Sequence, residues 1–504
     1  MISAKKITAL DFTKCHASCF QAASVPKALA FGAMLVLLSQ ANAMGQLGFN
    51  VPAPHPLSDT FLLESLPGAN HTIYLDFDGH DCCEGPYPAY DFEGGAGTFT
   101  ANEKKEIQLA WQSVAEDFLP FEINITTKFP GIEALRKTGP GDTQWGIRAV
   151  VSPSPWNYSW AYNGSFNDNS DSELYAWSPD DVTDPDERGT DWLWVADSIS
   201  HEAGHALGLA DDGTAGSGGY YHGHGSGATH WTPIMGWSNF GPSHWDNGEY
   251  PNANHPEQDD LAIITSGNGF GYRTDDHGSD TGSATPISDG VLIEGIIERN
   301  DDFDYFSFTM SSAGNVSFDI NPNAVGRDHW YGTGTVGANL DILAEIRDSG
   351  GNVIHTSNPV DLLTASFTDI PLAAGNYYLS IDGTGKGDFP TGYSDYGSLG
   401  YFSITGSGWG DLSIPGDFNG DGIVDGADFL KWQRDDGTSA SLAEWEANFG
   451  TVDVSVAASA AVPEPSSFAL IVAGLIGMGY RHRKQAASDY CLVGRFVMEL
   501  MEYR

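Results

Sequence analysis

Five cysteines among 504 residues are too few for a disulfide framework. Cys15 and Cys19 sit ahead of an expected cleavage point and Cys491 lies in the far tail, which leaves the adjacent pair Cys82 and Cys83 in the body. A bridge between neighbours closes almost no loop and is strained, so both read as ordinary thiols. Basic residues are scarce as well. Lysine and arginine number 23 against 67 aspartates and glutamates, a formal net charge of −44, and residues 44–460 carry most of the excess. A surface of that sign repels phosphate backbones and excludes a nucleic-acid partner. Two uses remain for the carboxylates: solvation and the collection of calcium. Long apolar runs are also missing. Ala28 to Leu38 and Phe468 to Tyr480 both fall short of the roughly 20 residues a stable membrane helix needs.

What is present points to several folded units. Aromatic residues make up 12% of the chain, which argues against wholesale disorder, and 61 glycines provide for many turns between short strands. At roughly 150 residues per domain, a chain of this length suggests about three units. Lys5, Lys6, Lys14 and Lys27 precede the first apolar run, and Ala41-Asn42-Ala43 follows it with small residues at a cleavage spacing. Residues 1–43 therefore read as a signal peptide, and the protein as exported. Residues 44–70 read as a short prosegment or a linker.

From 44 to 270 the patterns are mixed. Thr72 to Asp78 alternates apolar and polar residues as a half-buried strand does, Phe121 to Ile125 and Ile147 to Val151 read as further strands, and 102–117 spaces Ile107, Ala110, Trp111, Val114 and Phe118 as one face of a helix. A second helix begins near Asp191 and ends at Gly208. Between 271 and 408 short strands alternate with Gly, Asn and Asp, the texture of a β-sandwich. Its opening, Asp275 to Asp280, reads as a connector. The expected fold is multidomain: an α+β body, an all-β sandwich and a small third segment over 414–450.

The second helix carries the chemistry. In His201-Glu202-Ala203-Gly204-His205 the histidines are four residues apart on one face, so both imidazoles can reach one zinc ion, with Glu202 beside them as a proton acceptor. A break at Gly208 lets the chain return a third ligand. Asp211 fits that spacing, and Asp212, His222 and His224 are alternatives. Tyr220 to His224 otherwise reads as a cleft wall.

These residues resemble the metzincin clan of zinc peptidases, whose motif is HExxHxxGxxH followed by a methionine turn. His201, Glu202, His205 and Gly208 match it, and Thr232-Pro233-Ile234-Met235-Gly236 resembles the turn. Asp211 stands where most of the clan has histidine, a replacement also found in snapalysin-like enzymes. The resemblance implies a secreted endopeptidase acting on protein or peptide substrates, with zinc on His201, His205 and Asp211, Glu202 as general base and Met235 beneath the metal. Where some metzincins carry a tyrosine two residues after the methionine, this chain has Trp237. The competing readings are a catalytically idle surface adhesion or matrix protein, and a calcium-dependent component bound to a scaffold.

Asp304-Tyr305-Phe306-Ser307-Phe308, Asn339-Leu340-Asp341 and Gly375 to Ile381 resemble a bacterial pre-peptidase C-terminal domain. Farther on, Asp417, Asn419, Asp421, Ile423, Asp425 and Asp428 occupy positions 1, 3, 5, 7, 9 and 12 of a calcium loop with Gly422 at position 6. Aspartate at position 12 resembles dockerin repeats. Those repeats normally come in pairs, and a single loop weakens the case for a cohesin-type partner. Val462-Pro463-Glu464-Pro465, the apolar run to Tyr480 and Arg481-His482-Arg483-Lys484 resemble a PEP-CTERM sorting signal over 461–484. That resemblance implies exosortase processing, transient membrane anchoring through 468–480 and a surface or extracellular destination. Residues 485–504 are an atypical extension.

Overall fold

The computed structural model describes residues 53–451, apart from 83–84, 92–97, 154–157, 170–172, 178–190, 217–218, 238–240, 324–336, 388–390, 410–415, 419–422 and 436–437. The expected signal peptide 1–43, the sorting segment 461–484, the extension 485–504, Cys83 and the calcium-loop positions Asn419 and Asp421 lie outside the described residues. Among the described residues no helix is long and apolar enough to cross a membrane.

The first body is built on β1 (His71–Asp76), a hairpin of β2 (His80–Cys82) and β3 (Gly85–Tyr87), α1 (Ala101–Asp117), β4 (Asn124–Thr126), β5 (Trp145–Ser152), β6 (Glu173–Trp177) and α2 (Asp191–Leu207). Four strands form a parallel sheet in the order β4-β1-β5-β6. Every residue of β1 and β5 is buried, as parallel strands covered on both faces should be. Thr100 caps α1 through a reciprocal box with Glu103, which satisfies two backbone donors at its start. Its apolar face buries Ile107, Ala110, Trp111, Val114 and Phe118; a large apolar side chain buried in this way contributes about 1.5–3 kcal/mol. At the end of β1 the Asp76 carboxylate pairs with Arg148 of β5, both buried, a structural tie between neighbouring strands.

After α2 the chain forms the short parallel pair β7 (Thr232–Pro233) and β8 (Ser243–His244), then α3 (Asp260–Gly267), capped by Asp259. The second body follows: β9 (Thr285–Pro286), β10 (Ile293–Ile297), β11 (Asp304–Met310), β12 (Gly314–Pro322), β13 (Ile342–Arg347), β14 (Val353–Ser357), β15 (Ala365–Leu372), β16 (Gly375–Gly383) and β17 (Gly400–Ser407). They make two sheets, β10-β17-β12-β15 and β14-β13-β16-β11-β9. Inward residues alternate with outward ones: Phe306, Phe308 and Met310 of β11 meet Val316, Phe318 and Ile320 of β12 in one core. Trp409 stacks on Phe318 at 4.5 Å.

The two bodies share a single buried core that runs from Ile73 and Val114 through Trp245 to Phe306 and Phe402. Polar contacts cross the same seam. Tyr396 donates to Asp259 (2.7 Å) and accepts from the Leu261 N–H (2.9 Å), which holds the start of α3 against the sandwich. The third segment holds α4 (Gly426–Asp435) and α5 (Ser439–Asn448), joined by Phe429 against Trp445 at 4.9 Å.

Candidate metal centre

Gly208, at φ 108°, ends α2. Its N–H donates to the His205 carbonyl and the Leu209 N–H donates to the Gly204 carbonyl, both at 2.9 Å. Such a positive φ is open to glycine at little cost, and it turns the chain back across the helix. The returning strand is then clamped. Gln258 accepts from the Ala210 N–H (3.0 Å) and donates to the Ala210 carbonyl (3.2 Å), and Asn254 donates to the Asp211 carbonyl (2.9 Å). These bonds place the Asp211 side chain over the two histidines.

Asp211 Oδ1 lies 3.2 Å from His201 Nε2 and 3.1 Å from His205 Nε2. The other ring nitrogens are spoken for: His201 Nδ1 lies 3.0 Å from the Ile234 carbonyl and His205 Nδ1 2.9 Å from the Leu209 carbonyl. A carbonyl only accepts, so Nδ1 of each ring carries a proton, and Nε2 is left to face Asp211. Three lone-pair donors this close repel unless a proton or a cation lies among them. The spacing of 3.1–3.2 Å fits a hydrogen bond and an ion alike. Around a tetrahedral ion with ligands at about 2.0–2.1 Å, neighbouring donors lie about 3.3 Å apart, and two imidazoles with a carboxylate are donor types that zinc accepts.

Charge effects follow from the same geometry. The facing imidazoles hold the Asp211 carboxyl well below the usual carboxylate range. Burial lowers the His205 pKa, but Asp211, the Leu209 carbonyl and Glu202 outweigh it, and the net shift is upward. Glu202 is buried at 6% exposure, its Oε2 has no hydrogen-bond partner, and burial raises its pKa against the pull of the histidines. A carboxylate beside the metal donors, pushed toward neutrality and with a free oxygen, is equipped to accept a proton there.

Met235 is completely buried against α2. A Cβ added to Gly204, between the two histidines, would lie 2.2 Å from its sulfur, so the helix and the 232–236 turn meet in a contact that leaves no room for a methyl group. The turn closes through the Gly236 N–H on the Pro233 carbonyl (2.9 Å), and the Asp212 N–H donates to the Met235 carbonyl (2.7 Å).

The three alternative third ligands lie elsewhere. Asp212 is buried, accepts from the Tyr250 hydroxyl (3.2 Å) and is pushed up to about 8 by burial and by the nearby Asp246 carboxylate. Both ring nitrogens of His224 are engaged, Nδ1 with the Tyr221 hydroxyl (2.7 Å) and Nε2 with the Gly392 carbonyl of the second body (2.9 Å). The His222 ring packs beside Trp237 at 5.4 Å. Tyr220, edge-on to His201 at 5.6 Å, and Trp237 are about 40% exposed.

Of the calcium-loop residues, Asp417, Ile423, Asp425 and Asp428 are described. Asp428 is fully buried and accepts from the Asp425 N–H (2.8 Å), so position 12 folds back onto position 9. A second convergence of carboxylates, read above as part of a connector, joins Asp275 and Asp276 to Glu298, Asp302 and Asp304. Nothing in local spacing signals it, because its members come from the connector, the β10–β11 turn and the first residue of β11.

A PEP-CTERM protein-sorting motif matches residues 461–484. Such a motif is recognised by an exosortase and indicates extracellular or cell-surface sorting. No curated protein matches the chain. Among solved structures, a pre-peptidase C-terminal domain of a collagenase from Bacillus anthracis is similar at 15% identity, covering 25% of this chain and 95% of that one, with a TM-score of 0.18. A likeness that slight assigns neither fold nor activity.

Proposed function

We propose that this chain is an exported zinc-dependent endopeptidase, with a metzincin-like first body, an accessory sandwich and a calcium-binding third segment. The observation that carries the reading is the arrangement of His201, His205 and Asp211. Both imidazoles are fixed by backbone carbonyls so that Nε2 faces the same carboxylate oxygen, with buried Glu202 beside them.

His201, His205 and Asp211 would hold the ion. Zinc, when bound there, supplies Lewis acidity that brings a water's pKa down toward about 7 and polarises a carbonyl. Glu202 takes a proton from the attacking water and returns it to the leaving amine, a role its raised pKa favours. Asp211 contributes a negative charge where histidine would be neutral, which lowers the net charge of the site. Tyr220 and Trp237 offer aromatic walls for a substrate side chain. Extracellular or cell-surface sorting, which the motif indicates, supports this reading, because protein substrates are encountered there.

The test is metal analysis with a chelator cycle on the mature chain. One tightly held zinc per chain, casein hydrolysis abolished by a zinc chelator and its return on adding zinc are expected. A chain that binds no zinc at micromolar concentration would overturn the reading.

A further inference from the structure

We propose that the Tyr220 hydroxyl donates a hydrogen bond to the substrate carbonyl oxygen as it turns negative, which makes Tyr220 a second catalytic residue beside Glu202. The assignment rests on the zinc reading of the same site and names a donor that the ligands and Glu202 do not supply. Nδ1 of His201 and of His205 is turned away onto the Ile234 and Leu209 carbonyls. Asp211 and Glu202 are carboxylates and accept. Attack on a peptide bond nevertheless moves charge onto an oxygen, and a fixed donor aimed at that oxygen stabilises the transition state more than the bound substrate.

The stretch of chain that carries Asp211 also fixes Tyr220. Two residues past the ligand, Gly213 forms an antiparallel bridge with Tyr220, and the Tyr221 N–H donates to the Asp212 carbonyl (2.8 Å). A Cβ on Gly213 would lie 2.6 Å from the Gly219 carbonyl oxygen, so the two segments approach more closely than a side chain allows. The Trp237 N–H donates to the Tyr221 carbonyl (2.8 Å), which ties the same residues to the turn that holds Met235. Held on both sides, the Tyr220 ring stands edge-on to His201 with 5.6 Å between centroids, and Trp237 packs against it at 6.1 Å.

Neighbouring tyrosine hydroxyls are committed, Tyr221 to His224 Nδ1 (2.7 Å) and Tyr250 to Asp212 (3.2 Å). Among the described residues the Tyr220 hydroxyl has no hydrogen-bond partner. Burial first, then the Asp211 and Glu202 carboxylates, raise its pKa, which puts the hydroxyl within reach of both charges. At 41% exposure it is open to a substrate. In the step itself the water oxygen bonds to the carbonyl carbon while the C=O electron pair moves onto the oxygen, and Tyr220 bonds that oxygen through its O–H without giving up the proton. Glu202 takes one water hydrogen and passes it to the amine nitrogen as the C–N bond breaks; the other stays on the new acid.

The experiment compares the full chain with Tyr220→Phe, a change that keeps the ring and removes only the hydroxyl. Zinc content and melting temperature should match the parent, KM for a casein peptide should stay within about twofold, and kcat should fall by about 10²–10³. A second readout needs no turnover. Calorimetry with a phosphinic peptide, whose tetrahedral phosphorus presents a charged oxygen of the same kind, should show binding at least about tenfold weaker in the variant. A kcat within about twofold of the parent, a loss confined to KM, or unchanged phosphinate affinity would each overturn the assignment. Lower zinc content in Tyr220→Phe would overturn it too, by making Tyr220 a ligand. A parent that holds no zinc is a different failure: it overturns the zinc reading, and the assignment falls with it.

Discussion

Asn339 of the sandwich donates a 2.7 Å hydrogen bond to Asp117 at the end of α1, and the second oxygen of Asp117 accepts from Ser200, the residue before His201, at 2.5 Å. Asn339 supports the candidate metal centre from the other side too. Its side-chain oxygen accepts from the Ser243 N–H (3.2 Å) and its carbonyl lies 2.7 Å from His244 Nε2. The His244 carbonyl in turn accepts from the N–H of Ile234, whose own carbonyl holds His201.

Asn339→Ala is therefore expected to reach the metal centre from outside the first body. It strands a buried carboxylate oxygen and a backbone donor, a loss of about 1–3 kcal/mol. Urea unfolding should report that loss, and chelator competition should report weaker zinc retention. Unchanged zinc retention in a destabilised variant would reduce Asn339 to a packing role.

The same seam should respond to pH. Burial pushes Glu116 up to about 8, although Asn323 and the Tyr401 N–H donate to it, and Asp117 up to about 7. Both folded values lie above the unfolded ones of 4.5 and 3.8. The unfolded chain thus releases these protons first as pH rises, and their contribution to stability is full below about pH 4 and fades up to about pH 8. Melting curves between pH 4 and 9 should fall less steeply for Glu116→Gln than for the parent. Parallel curves would contradict the assignment.

Gly204→Ala should damage the site without touching a ligand. The added methyl group lands on the Met235 sulfur, and overpacking of this kind costs about 1–3 kcal/mol. A double variant, Gly204→Ala with Met235→Ala, should recover part of the loss, because the two changes act on one contact. Additive losses in the double-mutant cycle would show that the contact is not shared.

Asp211→Ala should weaken zinc binding by at least about tenfold, with His222→Ala and His224→Ala leaving it within about twofold of the parent. Equilibrium dialysis against a zinc buffer decides the ranking. The opposite order would return the third-ligand role to the histidine loop.

Much of the architecture was legible because its signals are local. Alternation from Thr72 to Asp78 marked β1, and helical spacing marked α1 to within a residue. β6 escaped because Glu173 to Trp177 is a short, nearly continuous apolar run with no alternation, and the pairing with β5 that makes it a strand is tertiary. The two histidines and Glu202 could be read from helical geometry, and Asp211 from the break at Gly208. Its rivals could not be dismissed on the same basis. What occupies His224 is the Gly392 carbonyl, 168 residues away in the chain. The acidic group at the connector was hidden for the same reason, since proximity of Asp275 to Asp304 depends on how β10 and β11 meet the segment before them.

The central claim rests on Glu202 as the proton carrier beside a zinc held by other residues. Zinc content and casein hydrolysis of the parent and of Glu202→Gln, measured side by side, test it most directly. The expected result is equal zinc with hydrolysis lowered by about 10²–10⁴. Equal hydrolysis in the two proteins at equal zinc would contradict it.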